Sequence, residues 1–167
     1  MDPASFTAPI EEQVAIFIDD HRRALGHCLD GLTEEEARTS LVPSLTTLLG
    51  LVKHATMVER VWFVEAFTGA SRAELGIPLT VDDSFTLTEQ DTIATVSAGY
   101  AAACATSRTA LAGRELDEVV TGNRRGPLPI RWILLHVLRE LAQHCGHADI
   151  LREQLLARRA ASSPQTR

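Results

Sequence analysis

The chain has 167 residues, 45% of them hydrophobic, with a mean hydropathy near zero and a formal net charge of -6. That length suffices for one domain with a sizeable core and not for two, and the composition fits neither a disordered nor a membrane protein. The acidic balance argues against a nucleic-acid partner; with no bilayer-length apolar run and no secretory leader, the expectation is a cytoplasmic protein without a membrane partner.

The first amphipathic stretch runs from about Pro9 to Leu29, with Val14, Phe17, Ile18, His21, Leu25 and Cys28 at the three-and-four spacing of a buried stripe. Gly31 stops it. Thr33 followed by Glu34, Glu35 and Glu36 reads as a cap and an acidic first turn, so a short helix is predicted over Glu34 to Arg38, closed by Pro43. The second long helix is predicted from Ser44–Thr47 to Thr68. Its inner face is Leu48, Leu51, Val52, Ala55, Val58, Trp62 and Ala66, and Gly69 ends it.

Residues 71–87 show no sustained period and read as a long connection across the molecule. Thr88 to Asp91 resembles a cap that opens a third helix carrying Ile93, Val96, Tyr100, Cys104, Ser107 and Leu111, ended by Gly113. Residues 122–129 form a loop whose two arginines, Arg124 and Arg125, amount to a small local charge. Pro127 and Pro129 delay the last helix, predicted over Ile130 to Arg158. No strand pattern and no repeat is evident. The reading is an all-α four-helix bundle with a long crossover between the second and third long helices, one domain over residues 1–160 and a polar tail over 161–167. The three cysteines, Cys28, Cys104 and Cys145, all fall in helical segments and read as free buried thiols. Cys145 alone lies beside the histidine cluster described next.

In the last helix Ile133, Val137, Leu141, Ala148, Leu151 and Leu155 form one apolar stripe, with His144 near its centre. Glu140 lies about 40° to one side of His144, and His147 about 60° to that same side. Buried without partners, such a carboxylate–imidazole pair costs several kcal/mol. A divalent ion would satisfy both groups, and His54, close to the inner face of the second long helix, is a third donor from across the bundle. Periodicity alone leaves His147 open as a fourth ligand, a base behind the ligands or a polar rim residue. His21 and His27 read as surface or packing residues and His136 as structural. Glu59, Arg60, Arg152 and Glu153 read as surface charges or helix-pair supports.

The chain resembles the DinB-like (YfiT-type) metal-binding bundles, in particular their actinobacterial mycothiol-dependent S-transferase branch. The resemblance is carried by Leu32 to Arg38, Leu41 to Ser44, Leu48 to His54, Val58-Glu-Arg60 with Trp62-Phe63, and Arg131-Trp-Ile-Leu-Leu-His136 through Glu153. His144-Cys-Gly-His147 is similar to the family's His-Arg-Gly-Gln sequence. This implies His54, Glu140 and His144 as metal ligands, with Glu140 where most of the wider family has histidine, and a substrate-facing or proton-carrying role for His147. The metal's identity stays open: two imidazoles and a carboxylate suit zinc, and they also suit nickel, iron or manganese. The implied thiol is mycothiol, transferred as a metal-activated thiolate to a small electrophile. Arg60 or Arg152 would then hold anionic substrate groups, and the assembly would be a homodimer. A non-catalytic metal-binding stress-response bundle is the alternative that the same resemblance allows.

Overall fold

The computed structural model describes residues 3–162. A 3₁₀ turn at Pro3–Thr7 leads into α1 (Ile10–His27), followed by the short α2 (Glu34–Arg38). The second long helix is α3 (Leu48–Arg60), which passes through a π-helical turn (Val61–Glu65) into α4 (Ala66–Thr68). Two short helices, α5 (Arg72–Leu75) and α6 (Val81–Phe85), occupy the crossover before α7 (Ile93–Leu111). Strands β1 (Val119–Val120) and β2 (Leu128–Pro129) precede α8 (Ile130–Ser162). The protein is an all-α bundle. Among the described residues no helix is long and apolar enough to cross a membrane.

The long helices form a ring in which α1 packs on α8 and α7, and α3 packs on α7 and α8. The core lies inside that ring. All six residues of the α8 stripe are buried, as are all seven inner-face residues of the α3–α4 segment. In α1, Ile18, Leu25 and Cys28 are buried, but Phe17 is 40% exposed, and Arg22 takes an interior place instead. Cys28 and Cys104 are buried free thiols, and Cys145 is half-buried.

Local chemistry explains where elements begin and where the expected boundaries move. Thr33 caps α2 in a reciprocal capping box with Glu36. The α7 cap is Thr92, four residues after the expected Thr88, because Asp91 is used elsewhere. Its Oδ2 accepts from the Thr88 backbone N–H at 2.6 Å and from Lys53 Nζ at 2.8 Å, which makes Thr88–Asp91 a separate turn. The crossover, expected to be irregular, is organised by capping boxes at Ser71 and Thr80. Helix α8 runs four residues past its expected end, to Ser162, so the expected tail begins within the helix; residues 163–167 lie outside the described residues.

The predicted loop at 122–129 is also more ordered than expected. Val119 pairs with Pro129 and Val120 with Leu128 in a two-stranded antiparallel ladder too short to leave a sequence period. Gly122 donates its N–H to the Ala66 carbonyl at 3.0 Å. A Cβ there would sit 2.4 Å from the Glu65 carbonyl oxygen and 2.5 Å from the Gly69 nitrogen, so only glycine fits this approach. The loop is thereby fastened to the end of the second long helix.

Candidate metal centre

His54 on α3 and the pair Glu140 and His144 on α8 meet across the seam between those helices. One ligand atom from each lies within 4.8 Å of the others. Their helical setting explains this: His54 is 5% exposed among apolar α3 residues, while Glu140 and His144 share one α8 face one turn apart. The His54 and His144 rings meet edge-on, with centroids 4.8 Å apart.

Their environments hold two of these groups in metal-binding form. Burial and the neighbouring His144 push the His54 pKa down to about 4. The Glu140 carboxyl is held well below the usual carboxylate range by the His144 ring 3.7 Å away, by Arg139, which donates to Oε1 at 3.2 Å, and by His136. A neutral imidazole and an ionised carboxylate are the states that bind a metal. Among the described residues, both ring nitrogens of His144 are buried without a hydrogen-bond partner, and its Nε2 stands 3.7 Å from Glu140 Oε2, too far for a hydrogen bond. Leaving a buried polar group unsatisfied costs about 1–3 kcal/mol. Two imidazoles and a carboxylate around such an orphaned ring fit a divalent ion, with Zn²⁺ well suited and Ni²⁺, Fe²⁺ or Mn²⁺ also compatible.

Beside the donors lies a cavity of about 400 Å³, lined by His54, Trp62, Glu65, Arg124, Arg125, His136 and Glu140 among others. The π-helical turn helps to shape it. The Ala66 N–H bonds five residues back to the Val61 carbonyl, which inserts one extra residue into the helix around Trp62 and Glu65. Glu65 is ion-paired with Arg72 at 2.9 Å. His136 is packed between Trp62, edge-on at 4.4 Å, and Trp132, stacked at 5.1 Å, one turn before Glu140. It therefore belongs to the cavity wall, where helical period alone had it as structural. The i, i+4 spacing of His136, Glu140 and His144 is the sequence signal that reveals this line.

The remaining expected site residues are dispersed. His147 is exposed, with its ring 5.9 Å from that of His144, and lines a separate apolar groove with Val42, Ile150 and Leu151. Arg60 donates to the Leu75 and Gly76 carbonyls, tying α5 to α3. Arg152 donates to the Cys28 and Asp30 carbonyls, at 2.8 and 2.7 Å, and so secures the end of α1. Neither lines the cavity. Its exposed cations are Arg124 and Arg125, brought there by the Gly122 contact. Glu59, read as a surface charge, is fully buried and paired with Arg22.

Fold and site together define a helical bundle with a His-Glu-His candidate metal centre between two of its long helices. The chain belongs to the mycothiol-S-transferase family: that family's model matches residues 13–157, a span that includes all three donors. This agrees with the resemblance carried by the motifs on α2, α3 and α8, and it points to a transferase-like function linked to mycothiol. Comparison with curated proteins finds no match.

Proposed function

We propose that this protein joins mycothiol, through its sulfur, to a small electrophile, at a divalent ion held by His54, Glu140 and His144. The observation that carries the reading is the convergence of those donors, with both His144 ring nitrogens unpartnered, inside the span matched by the family. A bound ion with three protein ligands would lower the pKa of a thiol in its open position and favour the nucleophilic thiolate.

The chain's own residues supply the rest. The cavity beside the donors receives the electrophile, with Trp62 and His136 as aromatic walls. The exposed Arg124, with its Nε 3.8 Å from Glu65 Oε1, and Arg125 face the anionic groups of the substrates in place of Arg60 and Arg152, whose guanidinium groups are engaged by backbone carbonyls. His147, which stands in the adjoining groove rather than in the cavity, with its ring 5.9 Å from that of His144, is the base proposed to take the thiol proton. A carbon–sulfur bond forms at the acceptor. In an addition the displaced electron pair takes up that proton, and in a substitution the pair departs with the leaving group while the proton passes to that group or to water.

The test combines elemental analysis with product detection. Purified wild type is expected to hold one metal ion per chain and His54→Ala to lose it. Metal-loaded wild type is expected to give a mass-detected conjugate from mycothiol and a panel of electrophiles. Metal-loaded protein that yields no conjugate, while a control transferase does, overturns the transferase reading and leaves a non-catalytic metal-binding bundle.

A further inference from the structure

The crossover helix α6, which showed no periodic signal, places two residues against His54. Ser84 Oγ lies 2.7 Å from His54 Nδ1. The Phe85 ring stacks on the imidazole with centroids 4.3 Å apart and planes 12° from parallel. Ser84 is 0% exposed, so its hydroxyl is shielded from solvent. The helix that presents it is fixed at both ends: Thr80 and Asp83 form its capping box, and Lys53 Nζ, next to His54 in sequence, donates to the Thr86 carbonyl at 2.7 Å.

The proton count around Ser84 is decisive. Its hydroxyl also contacts the Val81 carbonyl oxygen at hydrogen-bond distance. A carbonyl only accepts, and a serine hydroxyl carries one proton. That proton is therefore given to Val81, and the short contact to His54 needs a proton from the ring. Nδ1–H donates to Ser84 Oγ, which leaves the lone pair on Nε2. Imidazole binds a metal through the nitrogen that carries the lone pair, and the hydrogen bond at the other nitrogen selects which one this is.

We propose that Ser84 is a positioning residue of the metal centre: it holds His54 as the Nδ1–H tautomer, so that Nε2 is the atom offered alongside Glu140 and His144. Phe85 fixes the plane of the same ring. The proposal rests on the metal-site reading given above, and it assigns a function to a helix that lies outside the donor-bearing elements. Ser84 itself touches neither substrate nor ion.

Two measurements on Ser84→Ala test it. The first is Zn²⁺ affinity by competition with a chromophoric chelator, where the variant is expected to bind roughly 10- to 100-fold more weakly than wild type. Circular dichroism and the metal-free Tm establish that the variant is folded. The second is long-range ¹H–¹⁵N correlation on the metal-free protein. In wild type the His54 signals are expected to report a protonated Nδ1 and a bare Nε2, and in Ser84→Ala a shift toward the other tautomer. A wild type whose His54 is protonated at Nε2 overturns the proposal. So does a folded Ser84→Ala with unchanged Zn²⁺ affinity and an unchanged tautomer. Wild type that binds no Zn²⁺ refutes the metal-site reading and this proposal with it, an outcome distinct from normal Zn²⁺ binding by both proteins.

Discussion

Arg22 holds both carboxylate oxygens of Glu59, with Nε 2.8 Å from Oε1 and Nη2 2.6 Å from Oε2. The pair joins α1 to α3 in the interior, at 5% and 0% exposure. Burial alone would lower the guanidinium pKa, but the carboxylates of Glu59 and, secondarily, Asp19 more than reverse this and raise it. Desolvating two charges offsets most of their mutual attraction, so the pair adds little net stability and is costly to break.

Removing one partner is therefore the severe change. Glu59→Gln is expected to lower the unfolding free energy by about 3–5 kcal/mol, because it leaves the buried guanidinium with only the more exposed Asp19 carboxylate, 3.0 Å from Nη1, as its counter-charge. The double variant Arg22→Met with Glu59→Leu, which removes both charges and keeps apolar volume, should recover most of that loss. Urea unfolding with unchanged m-values measures both effects. A Glu59→Gln protein as stable as wild type would show that water reaches the guanidinium.

Gly122 gives a prediction about the cavity rim. The three atoms nearest to a methyl group at this position are backbone atoms of Glu65 and Gly69, and none of them can rotate away. Gly122→Ala is expected to cost about 1–3 kcal/mol, in the range of other overpacked sites. It should also displace the loop bearing Arg124 and Arg125 while leaving metal content at the wild-type level. Unfolding curves and elemental analysis on the same preparation separate the two effects. Loss of metal along with stability would mean that the loop also supports the donors.

These cases mark what the sequence reveals of this fold. The buried stripes of α3 and α8 are legible because Leu48, Leu51 and Val52, or Ile133, Val137 and Leu141, repeat at the helical period. That repeat also puts Glu140 and His144 on one inner face, and His54 on the facing helix close enough in register to meet them. Contacts between residues distant in sequence leave no such trace. Glu59 looks like a surface charge until Arg22, 37 residues away, is seen beside it. Arg60 and Arg152 look free for a substrate until the carbonyls of Leu75 and Cys28 are in place. Ser84 sits in a helix of five residues, too short to show a period, and its role depends on a ring 30 residues earlier.

The thiols yield a prediction about reactivity. Burial pushes the pKa of Cys28 up to about 12, and those of Cys104 and Cys145 up to about 11. The thiolate is the reactive form. At pH 8 the folded protein should therefore react with iodoacetamide far more slowly than a free cysteine, with all three sites alkylated rapidly in denaturant. Cys145, half-buried with its sulfur 3.4 Å from the His21 carbonyl, is expected to be the first to react during partial unfolding. Mass spectrometry of quenched time points reads the order, and rapid modification of Cys104 in the native protein would contradict it.

The pH dependence of the metal-free protein follows from His54. Burial and His144 hold its pKa near 4 in the folded state, against about 6.5 for an unconstrained histidine. Above pH 6.5 the ring is neutral whether the chain is folded or not, and it contributes nothing to the pH dependence. As pH falls below 6.5 the unfolded chain binds a proton that the folded chain does not, so stability declines until the folded ring also titrates near pH 4. The total loss through this residue is about 3 kcal/mol. His136, whose pKa is also lowered by burial, acts in the same direction. His54→Phe retains an aromatic ring against Phe85 and removes the titration. It should flatten, without abolishing, the fall in unfolding free energy between pH 6.5 and 4 in chelator-treated samples. If wild type and His54→Phe lose stability in parallel across that interval, His54 is not held neutral by its surroundings.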